Sequence, residues 1–374
     1  MKKSYLSFAL FLFSFSFLAG LNVSGQTLPP RDSLIKMIVD FKEQTHVKSF
    51  MAGIWKGDQE ILTLALGESM TGVPANLDMH FRIGGVSESM FGTLVMILAD
   101  QGKIRLDDKS SKWLPELLAS EEVTIEMLIK NASGYMDYEK NKDFVNIVVN
   151  DPFRQITPNE IIHYATRDGL AYTPGTKQNY THSDFTILAT VLEKATGKTL
   201  AELLEENIFR PLNLNQTGYS YTAELPSPVL HSFSTDRGIY EDATYWSPSW
   251  AGSSGPVYST IKDIGKWSYK FGTGALLTPA SYNILISPYK GAASPLDPPR
   301  PGLNLGSGFV ISNGWFSTNP NFNGYYGGYG YLPSKEITIA FYCTQSETSG
   351  QENFAFQLFK KLAAMVAPDG LINY

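Results

Sequence analysis

Few side chains in this 374-residue sequence are placed to do chemistry, and the carboxyl of Glu88 is the most pointed of them. It lies in the stretch 81–90, FRIGGVSESM, directly before an apolar helix pattern. A glutamate three residues past Gly85 has two readings. It can satisfy the start of its own helix, as a capping-box or macrodipole partner. Alternatively, it projects into a cleft, where partial desolvation raises its pKa into the range of a general acid or base. Hydrolysis of a glycosidic bond needs that carboxyl chemistry and no serine. The second carboxyl such a reaction uses is not marked, although Glu241 and Asp242 adjoin an aromatic loop. Ser87 and Ser89 flank Glu88 but are off the helical phase needed for attack beside it. Cys343 is the only cysteine, so no internal disulfide forms, and its apolar strand-like setting makes it a packing thiol. The five histidines show no paired spacing, and neither a metal nor a cofactor is expected.

Aromatic residues supply the remaining hint about a ligand. Tyr240, Tyr245, Trp246 and Trp250 crowd the loop-like region 220–256, with Tyr258 just past it, and Tyr325, Tyr326, Tyr329 and Tyr331 mark a strand-like run. Packing accounts for some of them. Flat rings with polar edges in a cleft also suit sugar faces.

The elements that must position these groups follow the usual periodicities. Residues 30–46 are helical after Pro29 and Pro30, and 50–55 with 61–66 form a hairpin around Lys56-Gly57-Asp58-Gln59-Glu60. A helix follows residues 81–85 to about Gln101, with Met90, Leu94, Ile97 and Leu98 on one face and Gly102 as its C-terminal cap. The middle is mostly helical, including 183–196, 200–208 and 261–271. Pro288, Pro295, Pro298, Pro299 and Pro301 mark a surface excursion. Strand-like runs at 308–312, 325–332 and 337–343 precede a last helix over 352–366. Strands near both ends with helices between them predict a single sheet built from both termini.

Composition is that of a globular chain, 43% hydrophobic and 18% charged, with a net charge of −6. An acidic chain without a basic tract is a poor nucleic-acid binder, so the expected partner is a small molecule or an oligosaccharide. Lys2 and Lys3, an apolar run over 5–21 and the small residues Val23-Ser24-Gly25 have the order of a cleavable secretory signal. Residues 1–25 are therefore expected to be a signal peptide, and the product to be periplasmic or secreted, without a lasting membrane span.

Several segments together resemble the serine β-lactamase and D,D-peptidase superfamily, in the branch of class C β-lactamases, D-aminopeptidases and related esterases. FRIGGVSES is similar to that family's FRIGSVTKT. VTIEMLIKNASGYMDY, residues 123–138, resembles its ITIRQLLNHTSGLPDY, and residues 174–219 are similar at a majority of positions. The resemblance implies an α+β fold: an antiparallel sheet flanked by N- and C-terminal helices, with an inserted all-helical subdomain. In one domain over 26–374, the α/β part covers about 30–84 and 257–374, and the insertion about 85–256.

The resemblance also implies where the site lies. The family acylates a serine at a helix N-terminus, and a lysine three residues on helps remove its proton. Gly85 and Glu88 stand at those places, so the family reaction is not expected. The family's Tyr-x-Asn is present as Tyr180-Thr181-His182, and its Lys/His-x-Gly falls at Thr318-Asn319-Pro320. Asp137 and Asp184 match positions of structural role. Glu88, Tyr180 and His182 are thus the candidate catalytic residues, and Gly85, Tyr245, Trp246, Trp250, Asn319 and Tyr325 the candidate substrate-binding ones. The leading expectation is an exported glycoside hydrolase with Glu88 as acid or base. The alternatives are an inactive protein that binds peptidoglycan or another glycan, and a residual esterase or peptidase.

Overall fold

The described residues of a computed structural model are 28–290, 302–372 and 374. The expected signal peptide lies outside them, as do Pro295, Pro298, Pro299 and Pro301 of the surface excursion. No helix among the described residues is long and apolar enough to cross a membrane.

The chain opens with helix α1 (Arg31–Thr45), the hairpin β1 (Ser49–Lys56) and β2 (Gln59–Met70), and the short β3 (Val73–Pro74) and β4 (Phe81–Arg82). Helix α2 (Val86–Asp100) follows, then α3 (Ile125–Ile129), α4 (Lys142–Asn150), α5 (Pro158–Thr166), α6 (His182–Thr196) and α7 (Leu200–Leu204). Short strands β5 (Gly218–Tyr219), β6 (Phe233–Ser234), β7 (Glu241–Asp242) and β8 (Val257–Ser259) lead to α8 (Ile261–Gly272) and α9 (Pro279–Ile286). The chain closes with β9 (Leu303–Leu305), β10 (Val310–Ser312), β11 (Trp315–Thr318), β12 (Asn321–Phe322), β13 (Tyr325–Leu332), β14 (Ile337–Thr344) and α10 (Phe354–Val366).

The main sheet has the order β3-β2-β1-β14-β13-β11-β10-β9, with β12 paired to β13. Strand β1 lies antiparallel to β14, with Ala52 opposite Phe341. The N- and C-terminal strands thus share one sheet, as the strand pattern at the two chain ends predicts. The two ends of the helical middle meet where Phe81 pairs with Ser259 and Arg82 with Tyr258.

Alternation along β14 decides which core each side chain enters. Ile339, Phe341 and Cys343 join α1 and α10 in one apolar layer, while Ala340 and Tyr342 face α2 and α8 on the other. The Cys343 thiol is buried in the first layer, and burial pushes its pKa up to about 12. Helix α10 lies close over β13 because Gly328 carries no side chain. A Cβ there would stand 2.6 Å from Phe356 Cα.

Helix α2 departs from the one-faced pattern read from its sequence: every residue from Val86 to Leu98 is buried. The physical reason is its position, packed against α3, α7, α8 and α9 between the sheet and the helical middle. A helix so enclosed must be apolar all round, and the polar residues in its first turn then need a specific partner.

Candidate active site

The N-terminus of α2 opens into a cavity of about 670 Å³. Gly85 stands at the helix N-cap with φ −59° and ψ −7° and offers no side chain. The nearest atom to a Cβ built there is Thr318 Oγ1 at 3.4 Å, an ordinary van der Waals contact, so a side chain would fit. One turn on, Glu88 is buried but reaches the cavity wall. Its carboxylate does not cap its own helix. Glu88 Oε1 accepts a hydrogen bond from the Tyr180 hydroxyl at 2.6 Å, so the side chain turns towards the cleft.

Gly308 permits the close approach of the strand on the far wall. Its φ is +85°, and a Cβ would lie 2.2 Å from the backbone oxygen of Glu88. Ser87 and Ser89 are turned away as the helical phase requires. Ser87 Oγ donates to the carbonyls of Gly84 and Ser254, and Ser89 Oγ donates to Val86 O and accepts from the Trp267 indole.

Tyr180 and His182 come from the start of α6, whose N-cap, Thr181, accepts from Ser183 N. The side chain of Thr181 serves the helix, which leaves the residues on either side free to face the cavity. His182 Nε2 lies 3.0 Å from the Tyr180 hydroxyl. On the other side of the ring, Nδ1 is 3.2 Å from Asp137 Oδ1 and 3.4 Å from Glu139 Oε2. Lys140 Nζ approaches Asp137 Oδ2 at 3.7 Å. Carboxylate, phenol, imidazole and a carboxylate pair thus form one continuous line of polar contacts.

The electrostatics follow from burial and from this order. Desolvation raises the Glu88 pKa to about 7, against the opposing pull of His182 and the Tyr180 hydrogen bond. Burial lowers the His182 pKa, but Glu139 and Asp137 outweigh it and raise the value to about 9. The ring is therefore cationic at neutral pH, and both of its nitrogens donate. Asp137 ends lower than an ordinary aspartate, because its burial is overcome by His182 and Lys140, while burial raises Glu139.

Three of the expected substrate-binding residues line the cavity: Gly85, Trp250 and Asn319. Trp250 stacks on Phe322 at 5.4 Å and donates its indole N–H to Asn323 Oδ1 at 3.0 Å. The other three are not among the lining residues. Tyr245 is exposed and packs edge-on against His231. Trp246 is buried in the loop, and Tyr325 is a core residue of β13 whose hydroxyl donates to Leu230 O at 2.6 Å. The β13 tyrosines fail as a sugar platform because that strand is central in the sheet and covered on both faces.

Neither Glu241 nor Asp242 lines the cavity, and Asp242 binds His231 Nδ1 at 2.6 Å. Among the described residues, the carboxylates that line it beside Glu88 are Glu139 and Asp236, which no motif marked. Asp184 holds Ser133 and Asn131 in the core, whereas Asp137 also orients His182. Among the described residues, no group of three or more His, Cys, Asp or Glu side chains could hold a metal ion.

The family model described as Beta-lactamase matches residues 34–360. The chain belongs to the beta-lactamase family. Its fold is the one that family's architecture requires, a mixed α and β molecule with an antiparallel sheet. Penicillin-binding protein 4* of Bacillus subtilis is 27% identical over 150 residues, 38% of this chain and 31% of that protein. Teichoic acid D-alanine hydrolase of Staphylococcus aureus is 26% identical over 222 residues, 58% of this chain and 51% of that protein. The chain thus spans about half or less of these curated relatives. The D-amino acid amidase from Ochrobactrum anthropi SV3, in complex with L-phenylalanine amide, superposes with a TM-score of 0.76 at 18% identity, over 91% of this chain and 98% of that one. This family member is accordingly a β-lactamase-fold protein of a hydrolase family, with Glu88, Tyr180 and His182 gathered at one cavity.

Proposed function

We propose that this family member is an exported hydrolase of a glycosidic bond, in which Glu88 replaces acyl-serine chemistry as the general acid or base. The observation that carries the reading is the buried Glu88 carboxyl, held at 2.6 Å by Tyr180 with its pKa raised to about 7. Such a group exchanges protons near neutrality, as an acid–base catalyst must. The cavity volume and the Trp250–Phe322 stack at its wall support an oligosaccharide ligand. Gly85 leaves room for it, and Asn319 offers an amide at the same wall.

The test is Glu88→Gln in a glycan-release assay across a panel of cell-wall and plant oligosaccharides. Loss of release by roughly 10²–10⁴-fold is expected. Unchanged release sinks the assignment. Export is tested by recovering the chain from periplasm or medium and reading its N-terminus, with processing near residue 25 expected.

The names of two relatives favour a second reading. Teichoic acid D-alanine hydrolase and D-amino acid amidase are named for D-aminoacyl bonds. Glu88 could activate a water against such a bond without a covalent serine intermediate. Release of D-alanine that Glu88→Gln abolishes, with no glycan release, selects this reading. Glycan binding that survives Glu88→Gln, with no turnover of either bond, selects a binding protein instead.

A further inference from the structure

Which atom attacks is a separate matter from which group moves the proton. Among the described residues lining the cavity, side-chain hydroxyls belong to Tyr180, Ser254, Thr318 and Tyr374. Ser254 Oγ donates to Ala251 O at 3.0 Å, and the Tyr374 hydroxyl donates to Ser317 Oγ at 3.1 Å. Thr318 has no ionisable hydrogen-bond partner among the described residues. Tyr180 differs from all three. Its oxygen sits between a base, Glu88 Oε1 at 2.6 Å, and a cationic donor, His182 Nε2 at 3.0 Å.

Asp137 and Glu139 occupy the far side of that imidazole, so the Nε2 proton can only be donated towards the phenol oxygen. A base that removes the proton and a cation that steadies the resulting charge are the two supports an oxygen nucleophile needs. Desolvation around the hydroxyl, on a side chain that is 38% exposed as a whole, and then the charge of Glu88 hold the Tyr180 pKa well above its ordinary value. The phenol is therefore neutral at rest, and its proton must leave as the new bond forms.

We propose that Tyr180 is the covalent nucleophile of this site, its phenolic oxygen forming a transient glycosyl–tyrosine bond while Glu88 takes the phenol proton. This rests on the glycoside reading above. In the first step the Tyr180 oxygen bonds to the anomeric carbon, and the glycosidic carbon–oxygen bond breaks. The departing oxygen leaves with the proton that Glu88 has accepted. In the second step water attacks the same carbon, Glu88 takes a proton from that water, and Tyr180 departs and recovers it. One water is consumed and two displacements occur, so the product keeps its anomeric configuration. No oxidant or co-reactant is needed.

The experiment treats the protein with 2-deoxy-2-fluoroglycosyl fluorides matching whichever p-nitrophenyl glycoside it cleaves, and maps the adduct by peptide mass spectrometry. One fluoroglycosyl group on Tyr180 is expected, together with retained configuration in the product by NMR. Tyr180→Phe, checked for an unchanged melting temperature, is expected to lose the adduct and at least about 10³-fold in kcat. An inverted product, an adduct on another residue, or a Tyr180→Phe kcat within about tenfold of the parent overturns the nucleophile while leaving the glycoside reading standing. Absence of release from every glycoside in the panel overturns both.

Discussion

At the scale of single residues, the site is governed by one buried carboxyl beside one cationic imidazole. If Glu88 acts ionised and His182 charged, kcat/KM rises through an acid limb near the Glu88 value of about 7 and falls through a basic limb near the His182 value of about 9. A pH profile of the active substrate checks this, and His182→Ala should remove the basic limb. The same shift predicts a stability effect. Because the folded Glu88 pKa is raised from 4.5 to about 7, the folded state holds its proton more tightly than the unfolded chain. The stability this gives is full below the unfolded value and is lost as pH rises through about 7. Glu88→Gln keeps the shape without the charge, so its advantage over the parent should be near zero at pH 4 and grow to roughly 2–3 kcal/mol at pH 8. Denaturant unfolding at the two pH values measures it, and an advantage independent of pH would contradict the buried-carboxyl account.

At the scale of elements, α2 and α10 show how the sheet and helices hold the site. Gly85 sits in an ordinary right-handed conformation where a Cβ would meet only an ordinary contact with Thr318 Oγ1, so its lack of a side chain is not demanded by the backbone. Gly85→Ser should therefore fold normally, within about 0.5 kcal/mol of the parent by thermal melting. Gly328 is the opposite case. Its missing Cβ is required by the approach of α10, with Phe356 Cα at 2.6 Å and Ala355 O at 2.7 Å, both backbone atoms that cannot rotate away. Gly328→Ala should cost about 1–3 kcal/mol by the same measurement. The contrast separates glycine kept for packing from glycine that leaves a cavity open.

At the scale of the whole molecule, the cavity lies between the start of α2, the loop before α6 and the strands β9 to β12, so it is assembled from segments more than two hundred residues apart. A β-lactam that enters it meets no side chain at Gly85. Incubation of the intact protein with a β-lactam or a phosphonate should give no mass increase, and a stoichiometric adduct would restore the acyl-enzyme reading. Trp250→Ala should raise KM for an oligosaccharide by roughly tenfold with little change in kcat, since the stack is at the wall and not beside Glu88's partners.

The local pattern of this chain was enough to place α1, α2, α6, α8 and α10, its long strands and the pairing of its two ends, though not α9, because period and capping act over a few residues at a time. The apolar run of α2 is of this kind. The segments that carry the family resemblance also brought Glu88, Tyr180 and His182 forward as candidates, and the structure gathers them at one cavity. What those patterns left open was direction. Whether Glu88 turned to its own helix or to Tyr180 depended on a residue ninety-two positions away. Glu139 joined the site, while Tyr325 and Trp246 left it, through packing that no short pattern encodes. Burial above all, with the charges of Glu139 and Asp137 adding to it, then moved the Glu88 pKa towards neutrality, and burial belongs to the tertiary structure, because only chain segments distant in sequence can exclude water from one carboxyl.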